Sequence, residues 1–299
     1  WIYKQKIVGF LFGRNLTHDD YWHNSSVHLQ NTLHLYKSRK LSLVSKSNIV
    51  NLLSCSKIWY TATVIDLSKH YITLMNRNIF TYLWDSTFEP LARAVCYHPF
   101  KKGGLNMTNM ECKLRALRLQ HMQKLLDDNY SAKWKYFSRY WIGLQLRNYN
   151  PNLSLNIYTH TLHVPQFYKN CLNIFKDFTE QNPSFTFGTA PTKIFYQLDL
   201  KNFVLEPKIH KLYTIDFTTV WKNLHNKFLD PFTRDVCFKT IHDILPVNYN
   251  MFLKNIAKSK LCTFCGDIET TDHLFFECDL VFPLQRLVIK WIKQLSRNS

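Results

Sequence analysis

The chain has 299 residues, 46% of them hydrophobic and 15% aromatic, enough for a real core and too apolar for wholesale disorder. Only 7 residues are glycine, and no glycine-rich phosphate loop occurs, which argues against the common nucleotide-binding folds. The net charge is +17 and unevenly held: 21 Lys/Arg stand against 8 Asp/Glu in residues 1–150, and 17 against 13 in residues 151–299. Polyanions are the usual partners of such a surface, and the first half carries most of the attraction.

In chain order, Lys6-Ile7-Val8-Gly9-Phe10-Leu11-Phe12 reads as a core strand entered at once from Trp1. A lone strand is unstable, so the expectation is a tail of a longer protein. Asp19 and Asp20 precede a helix through His34. Ser42 to Val64 reads as a second helix, with Ile49, Leu53, Tyr60 and Val64 as one apolar stripe and Lys46 and Lys57 on another face. Ser68 caps a third helix through Ile72, Ile79 and Leu83 towards Trp84. Pro99 and Gly103-Gly104 mark residues 97–107 as a loop.

Thr108-x-x-Glu111 has the form of a capping box, opening a helix to Leu126 that sets Arg115 and Arg118 beside Leu119 and Met122. Such arginines either snorkel to the rim, the commoner outcome, or meet a partner. A helix from Ser131 to Leu146 carries Trp134, Phe137, Trp141 and Leu144 as its apolar side. Residues 147–164, rich in Asn, Pro and Thr, separate the two halves. Short helical patterns follow near 166–180, 192–204, 217–228, 233–244 and 247–257. No stretch reaches the roughly 18 apolar residues that cross a bilayer, and no secretory leader is legible. With 8 cysteines and no leader, the expectation is a reducing, intracellular setting, with Cys55, Cys96, Cys112, Cys171 and Cys237 as small buried hydrophobes.

The remaining cysteines fall in Cys262-x2-Cys265-x7-His273-x4-Cys278. Three thiolates and one imidazole are a standard structural zinc set, and four protein ligands leave no open position for hydrolysis. Gly266 supplies the positive φ that a tight Cys-x2-Cys knuckle needs. A regular helix would rotate His273 and Cys278 about 140° apart, so the chain must turn or end its helix between them. Leu274, Phe275 and Phe276 add apolar bulk. The pattern Val281 to Ile292 predicts a helix able to pack on the knuckle. Phe264 is placed either in the knuckle core, the favoured reading, or stacked on unpaired bases.

These residues carry a resemblance. The run from Cys262 to Cys278, Cys-Thr-Phe-Cys-Gly-Asp-Ile-Glu-Thr-Thr-Asp-His-Leu-Phe-Phe-Glu-Cys, resembles the C-terminal zinc-binding domain of LINE-type (non-LTR) retrotransposon reverse transcriptases. Arg234 to Pro246 is similar to the lead-in helix of that domain. Leu41 to Lys46, Phe80-Thr-Tyr-Leu83-Trp84 and Lys102-Gly103-Gly104-Leu105 look like that family's thumb. The resemblance covers roughly residues 6–125 and 216–295 and is weak between them. It implies a mainly α fold: residues 1–150 as the end of the palm and a helical thumb, 151–215 as connecting helices, and 216–299 as a small helical zinc-binding domain.

The family polymerises DNA on a Tyr-x-Asp-Asp palm turn that holds two Mg²⁺ ions. Asp19-Asp20 and Asp127-Asp128 sit at helix ends, where acidic residues are ordinary, so no catalytic residue is assigned and Mg²⁺ belongs to an intact upstream palm. The resemblance implies RNA and DNA, as template and primer, for partners, no membrane, and a nuclear setting. Lys37, Arg39, Lys40, Lys46, Lys57, Lys101, Lys102 and Arg115 are the candidates for phosphate contact, which positions without reading sequence. A domesticated zinc module that binds nucleic acid or protein, without a polymerase role, uses the same residues and stays open.

Overall fold

The computed structural model describes residues 4–7, 10–13, 15–147, 164–212 and 214–297. It is mainly helical, with one small N-terminal sheet, as the sequence predicts. The chain divides into two compact units, residues 1–99 with 104–205, and residues 100–103 with 206–299.

The first unit opens with β1 (Lys4–Ile7) and β2 (Phe10–Gly13), paired antiparallel with Lys4 opposite Gly13 and Ile7 opposite Phe10. This corrects the single core strand expected over residues 6–12. Each strand pairs one backbone edge with the other, and β1 is exposed throughout. Val8 and Gly9 lie outside the described residues. In α1 (His18–Lys37), Thr17 and Asp20 form a reciprocal capping box, and the Asp20 carboxylate also takes the Lys4 ammonium.

The expected helix from Ser42 to Val64 is three pieces: α2 (Leu43–Ile49), a π turn (Val50–Ser54) and α3 (Ser56–Ala62). The π turn adds a residue to the helical register. Leu43, Lys46, Ser47, Val50, Ser54, Cys55, Ile58 and Ala62 therefore face inward, while Leu53, Tyr60 and Val64 of the expected stripe are exposed. α4 (Lys69–Trp84) follows the prediction: the Ser68 hydroxyl accepts from Tyr71 N–H, and Ile72, Ile79 and Leu83 are buried. After the short α5 (Arg93–Cys96), α6 (Met110–Leu126) begins at Asn109, whose side chain accepts from Cys112 N–H at 3.0 Å. Asn109, one residue beyond the expected Thr108, is the cap.

α6 buries residues on every side, which marks the central helix of a bundle. It packs against α3 and α4, and also against α7 (Trp134–Leu146), α8 (Gln166–Gln181) and α9 (Thr192–Leu200). Leu119, Met122, Leu125, Phe175, Phe178 and Phe195 form the core there, with Phe185 and Phe187 closing edge-to-face and tilted ring contacts. Arg118 does not snorkel. At 2% exposure it gives Asp66 two N–H bonds (2.7 and 3.1 Å), donates to the carbonyls of Ala62 and Thr63 at the end of α3, and lies over the Phe167 ring. In α7 the buried face is Lys135, Ser138, Ile142 and Leu146; Phe137 and Leu144 of the predicted face are exposed. Cys55, Cys96, Cys112 and Cys171 are buried as expected, and burial pushes each thiol up to about 12; Cys237 is half-buried. Among the described residues, no helix is long and apolar enough to cross a membrane.

The second unit contains a 3-10 turn (Phe100–Lys102), α10 (Ile209–Leu212), α11 (Phe217–Leu224), α12 (Pro231–Ile241), α13 (Asn248–Leu253) and α14 (Phe282–Arg297). Trp221 of α11 is its central side chain, stacked on His242 and lying against Gly103. Asp230 caps α12 through Phe232 and Thr233 N–H, with Pro231 at the first helical position, where no N–H is needed. The Arg234 guanidinium reaches back to the carbonyls of Leu224, Asn226 and Leu229, closing the end of α11 with a cation.

Candidate metal centre

The site grows from a short hairpin. Leu261 bridges Ile268 antiparallel, Glu269 N–H donates to Lys260 O, and Cys262 N–H donates to Asp267 O. The loop between them is the knuckle, closed by Gly266 N–H on Cys262 O at 3.1 Å. Gly266 sits at φ 85° with open space where a Cβ would stand, so glycine is required for its backbone angle and not for room. The amides of Cys265 and Phe264 point at the Cys262 sulfur and hold its thiol down, while the adjoining Cys265 thiol goes up, because burial and the Cys262 and Cys278 sulfurs outweigh the bond from the Asp267 amide. Thiolates are the form that binds metal.

The second pair of ligands comes from a π turn (His273–Glu277). His273 N–H donates to Thr270 Oγ1 at 3.0 Å, which starts the turn, and Cys278 N–H donates to His273 O at 3.0 Å, which ends it. Cys278 then leaves in extended conformation, so His273 and Cys278 meet on one side despite their helical phase mismatch. This is the break that the spacing demanded.

The four ligand atoms lie within 4.8 Å of one another. His273 Nε2 is 3.2 Å from Cys265 Sγ, and Cys278 Sγ is 4.0 Å from the same sulfur. A tetrahedral ion with metal–sulfur bonds of about 2.3 Å sets its ligands roughly 3.4–3.8 Å apart, so the donor set fits. Cys262, His273 and Cys278 are buried and Cys265 is half-buried. Among the described residues this is the one such cluster of three or more metal-ligating side chains.

Residues that the sequence reading passed over hold the hairpin in place. Glu269 accepts from Asn248 N–H (2.8 Å) and Nδ2 (3.1 Å), Asn248 Nδ2 also donates to Leu261 O, and Tyr249 N–H donates to Glu269 O. Thr271 Oγ1 donates to Asp243 Oδ1 at 2.7 Å, from an Asp243 held at positive φ just past α12. The Glu269-Thr-Thr run inside the motif was the available signal. For Asn248 there was none, because its partner is 21 residues away.

Two expectations around the knuckle are corrected. Phe264 is 71% exposed and so lies outside the knuckle core. α14 forms, but Leu284, Leu287, Val288, Trp291 and Ile292 are 45–65% exposed, so its apolar stripe does not pack on the knuckle. What ties it there is Gln285, which donates to Phe275 O.

The basic candidates separate into two groups. Lys37, Arg39 and Lys40 are exposed around the end of α1, Lys57 is exposed on α3, and Lys101 and Lys102 are exposed on the 3-10 turn of the second unit. Lys46 and Arg115 are committed internally. Lys46 is 5% exposed and pairs with Asp85, while Arg115 bonds Asp199 at 2.8 Å with Asp177 close by. Neither acidic pair occupies a strand turn. Asp19 accepts from Tyr71 OH and Asp20 caps α1; Asp127 ends α6 and Asp128 pairs with Arg139.

No protein-family model matches the chain. Among curated proteins it is similar to the Transposon TX1 uncharacterized 149 kDa protein of Xenopus laevis, with 25% identity over 97 residues. That match covers 32% of this chain and 7% of the relative's length.

Proposed function

We propose that the chain is a nucleic-acid-holding segment from the C-terminal part of a retrotransposon RNA-directed DNA polymerase of the LINE type, acting in the nucleus on template and primer. The observation that carries this reading is the closed Cys3His cluster of Cys262, Cys265, His273 and Cys278, with similarity to a transposon-encoded protein in support. The ion is Zn²⁺: three sulfurs and one imidazole suit it, and four protein ligands make its role structural. When bound, it supplies folding energy to a small domain whose apolar stripe on α14 is largely exposed.

Phosphates are held by Lys37, Arg39, Lys40, Lys57, Lys101 and Lys102, whose side chains the fold leaves at the surface. Phe264, exposed at the knuckle tip, stacks on an unpaired base. Nucleotidyl transfer is assigned to none of the described residues, and Mg²⁺ to a palm outside them.

Two measurements on the purified full chain test the reading. Metal analysis is expected to give one zinc per chain, lost on Cys265→Ser; a folded, zinc-free protein would overturn the site. Titration of RNA and duplex binding against salt is expected to give a log–log slope of about −5 if six duplex phosphates are contacted. A slope near zero would remove the basic surface from the proposal.

A further inference from the structure

Beside the hairpin of β1 and β2, a cavity of about 300 Å³ opens between the hairpin, α1 and α3. Its lining includes Lys6 from β1, Asn24 and His28 from α1, Ser54 from the π turn, and Lys57 and Thr61 from α3. Neither lysine is paired with a carboxylate among the described residues. The one acid on the wall, Asp20, is already bound by Lys4 and by Thr17 N–H.

Ser54 is the unusual member. It is 1% exposed, and its Oγ has no hydrogen-bond partner. A serine inside an ordinary helix returns its hydroxyl to the carbonyl four residues back. Here that carbonyl, Val50 O, accepts Cys55 N–H at 2.9 Å, the bond that makes the turn a π turn, and the Ser54 hydroxyl does not bond to it as those of Ser25 and Thr32 do to theirs in α1. The chain thus inserts a residue, leaves a hydroxyl unsatisfied at a cavity wall, and sets Lys57 one turn further on. π turns of this kind are frequent at functional sites, and an unsatisfied buried hydroxyl costs about 1–3 kcal/mol unless something meets it.

We propose that this cavity binds a phosphate monoester, with Lys6 and Lys57 matching its charge and the Ser54 hydroxyl donating to one of its oxygens. A recess suits a terminal group better than a continuous backbone, so Lys57 here meets a terminal phosphate and the other five basic residues hold the duplex; a monoester carries nearly two negative charges at neutral pH for two lysines. The chemistry is shared by a phosphorylated strand end and a free mononucleotide. Only the first source rests on the nucleic-acid reading above.

The test uses the full chain with inorganic phosphate, a nucleoside monophosphate, and one short oligonucleotide prepared with and without a terminal phosphate. Phosphate and the monophosphate are expected to compete for one site, and Ser54→Ala and Lys57→Gln each to weaken it roughly tenfold. Ser54→Ala is also expected to leave thermal stability unchanged or raised, because it removes an unpartnered buried hydroxyl; this separates lost binding from lost fold. Tighter binding of the phosphorylated oligonucleotide, reversed by phosphate, assigns the site to strand ends. Equal binding of both oligonucleotides, with the monophosphate still bound, assigns it to free mononucleotides. Phosphate binding that is absent, or unchanged in both variants, overturns the site even where oligonucleotide binding survives. Oligonucleotide binding that is absent while monophosphate still binds overturns the nucleic-acid reading and leaves the site standing.

Discussion

The Glu269 carboxylate accepts both the backbone N–H and the side-chain amide of Asn248, at 2.8 and 3.1 Å, so the first turn of α13 is held by the hairpin that carries the metal knuckle. An acidic group at a helix start meets unpaired amides, and here it also couples two segments distant in sequence.

Glu269→Ala is therefore expected to destabilise the second unit by about 1–3 kcal/mol, the penalty for leaving such donors without an acceptor. Faster zinc loss to a chromophoric chelator should accompany it. Glu269→Gln keeps one acceptor oxygen and should fall between the variant and the natural protein. A chelator rate unchanged by Glu269→Ala would show that the hairpin holds the knuckle without α13.

Arg118→Met leaves Asp66 facing the end of α3 without its cation, and takes the donors from the Ala62 and Thr63 carbonyls. Breaking a buried pair by removing one member costs about 3–5 kcal/mol. Urea unfolding should show that loss, and Asp66→Asn added to Arg118→Met should cost less than Asp66→Asn alone. Additive losses would mean that the two side chains do not act as a pair.

Burial holds His121 down to about 4, helped by the charges of Arg118 and Lys124; burial also holds His242 down to about 4, against the bond to the Gly103 carbonyl. An unfolded histidine titrates near about 6.5, so below that pH the unfolded chain takes up protons that the folded one refuses. Stability is intact above about 6.5 and falls as the pH drops towards 4, by up to about 1.4 kcal/mol per pH unit for each histidine. His121→Gln should flatten that fall in denaturation curves taken across the range. An unaltered slope would mean that His121 protonates freely in the folded state.

Gly103 has φ 78°, and a Cβ there would lie 2.5 Å from Cζ2 of Trp221. Gly103→Ala combines left-handed backbone strain of about 1–2 kcal/mol with overpacking of about 1–3 kcal/mol. Thermal unfolding of the second unit should reflect both. Gly188, whose added Cβ would meet nothing within 4 Å, is the control: Gly188→Ala should be nearly silent.

Much of the site was legible because metal ligation constrains spacing as well as residue type. Cys262, Cys265, His273 and Cys278 follow one another within 17 residues, so chain connectivity alone brings them near each other. Helix positions were legible for similar reasons: Ser68 marks a start through a backbone bond made three residues away.

Helix faces were a different matter. Leu53, Tyr60, Phe137 and Leu144 have the apolar character of core residues and lie exposed, while Lys46 and Arg118 are buried. A π turn shifts every later residue of its helix in phase, and a buried cation is settled by a carboxylate or carbonyl from elsewhere, such as Asp85 or Asp66. What local bonds and short spacings decide could be read from the residues alone: most of the helices, the Ser68 cap and the grouping of Cys262, Cys265, His273 and Cys278. Which charges face solvent and which are spent inside was settled by the folded chain, because that balance depends on partners 39 and 52 residues away, whose distance in the chain says nothing of their distance in space.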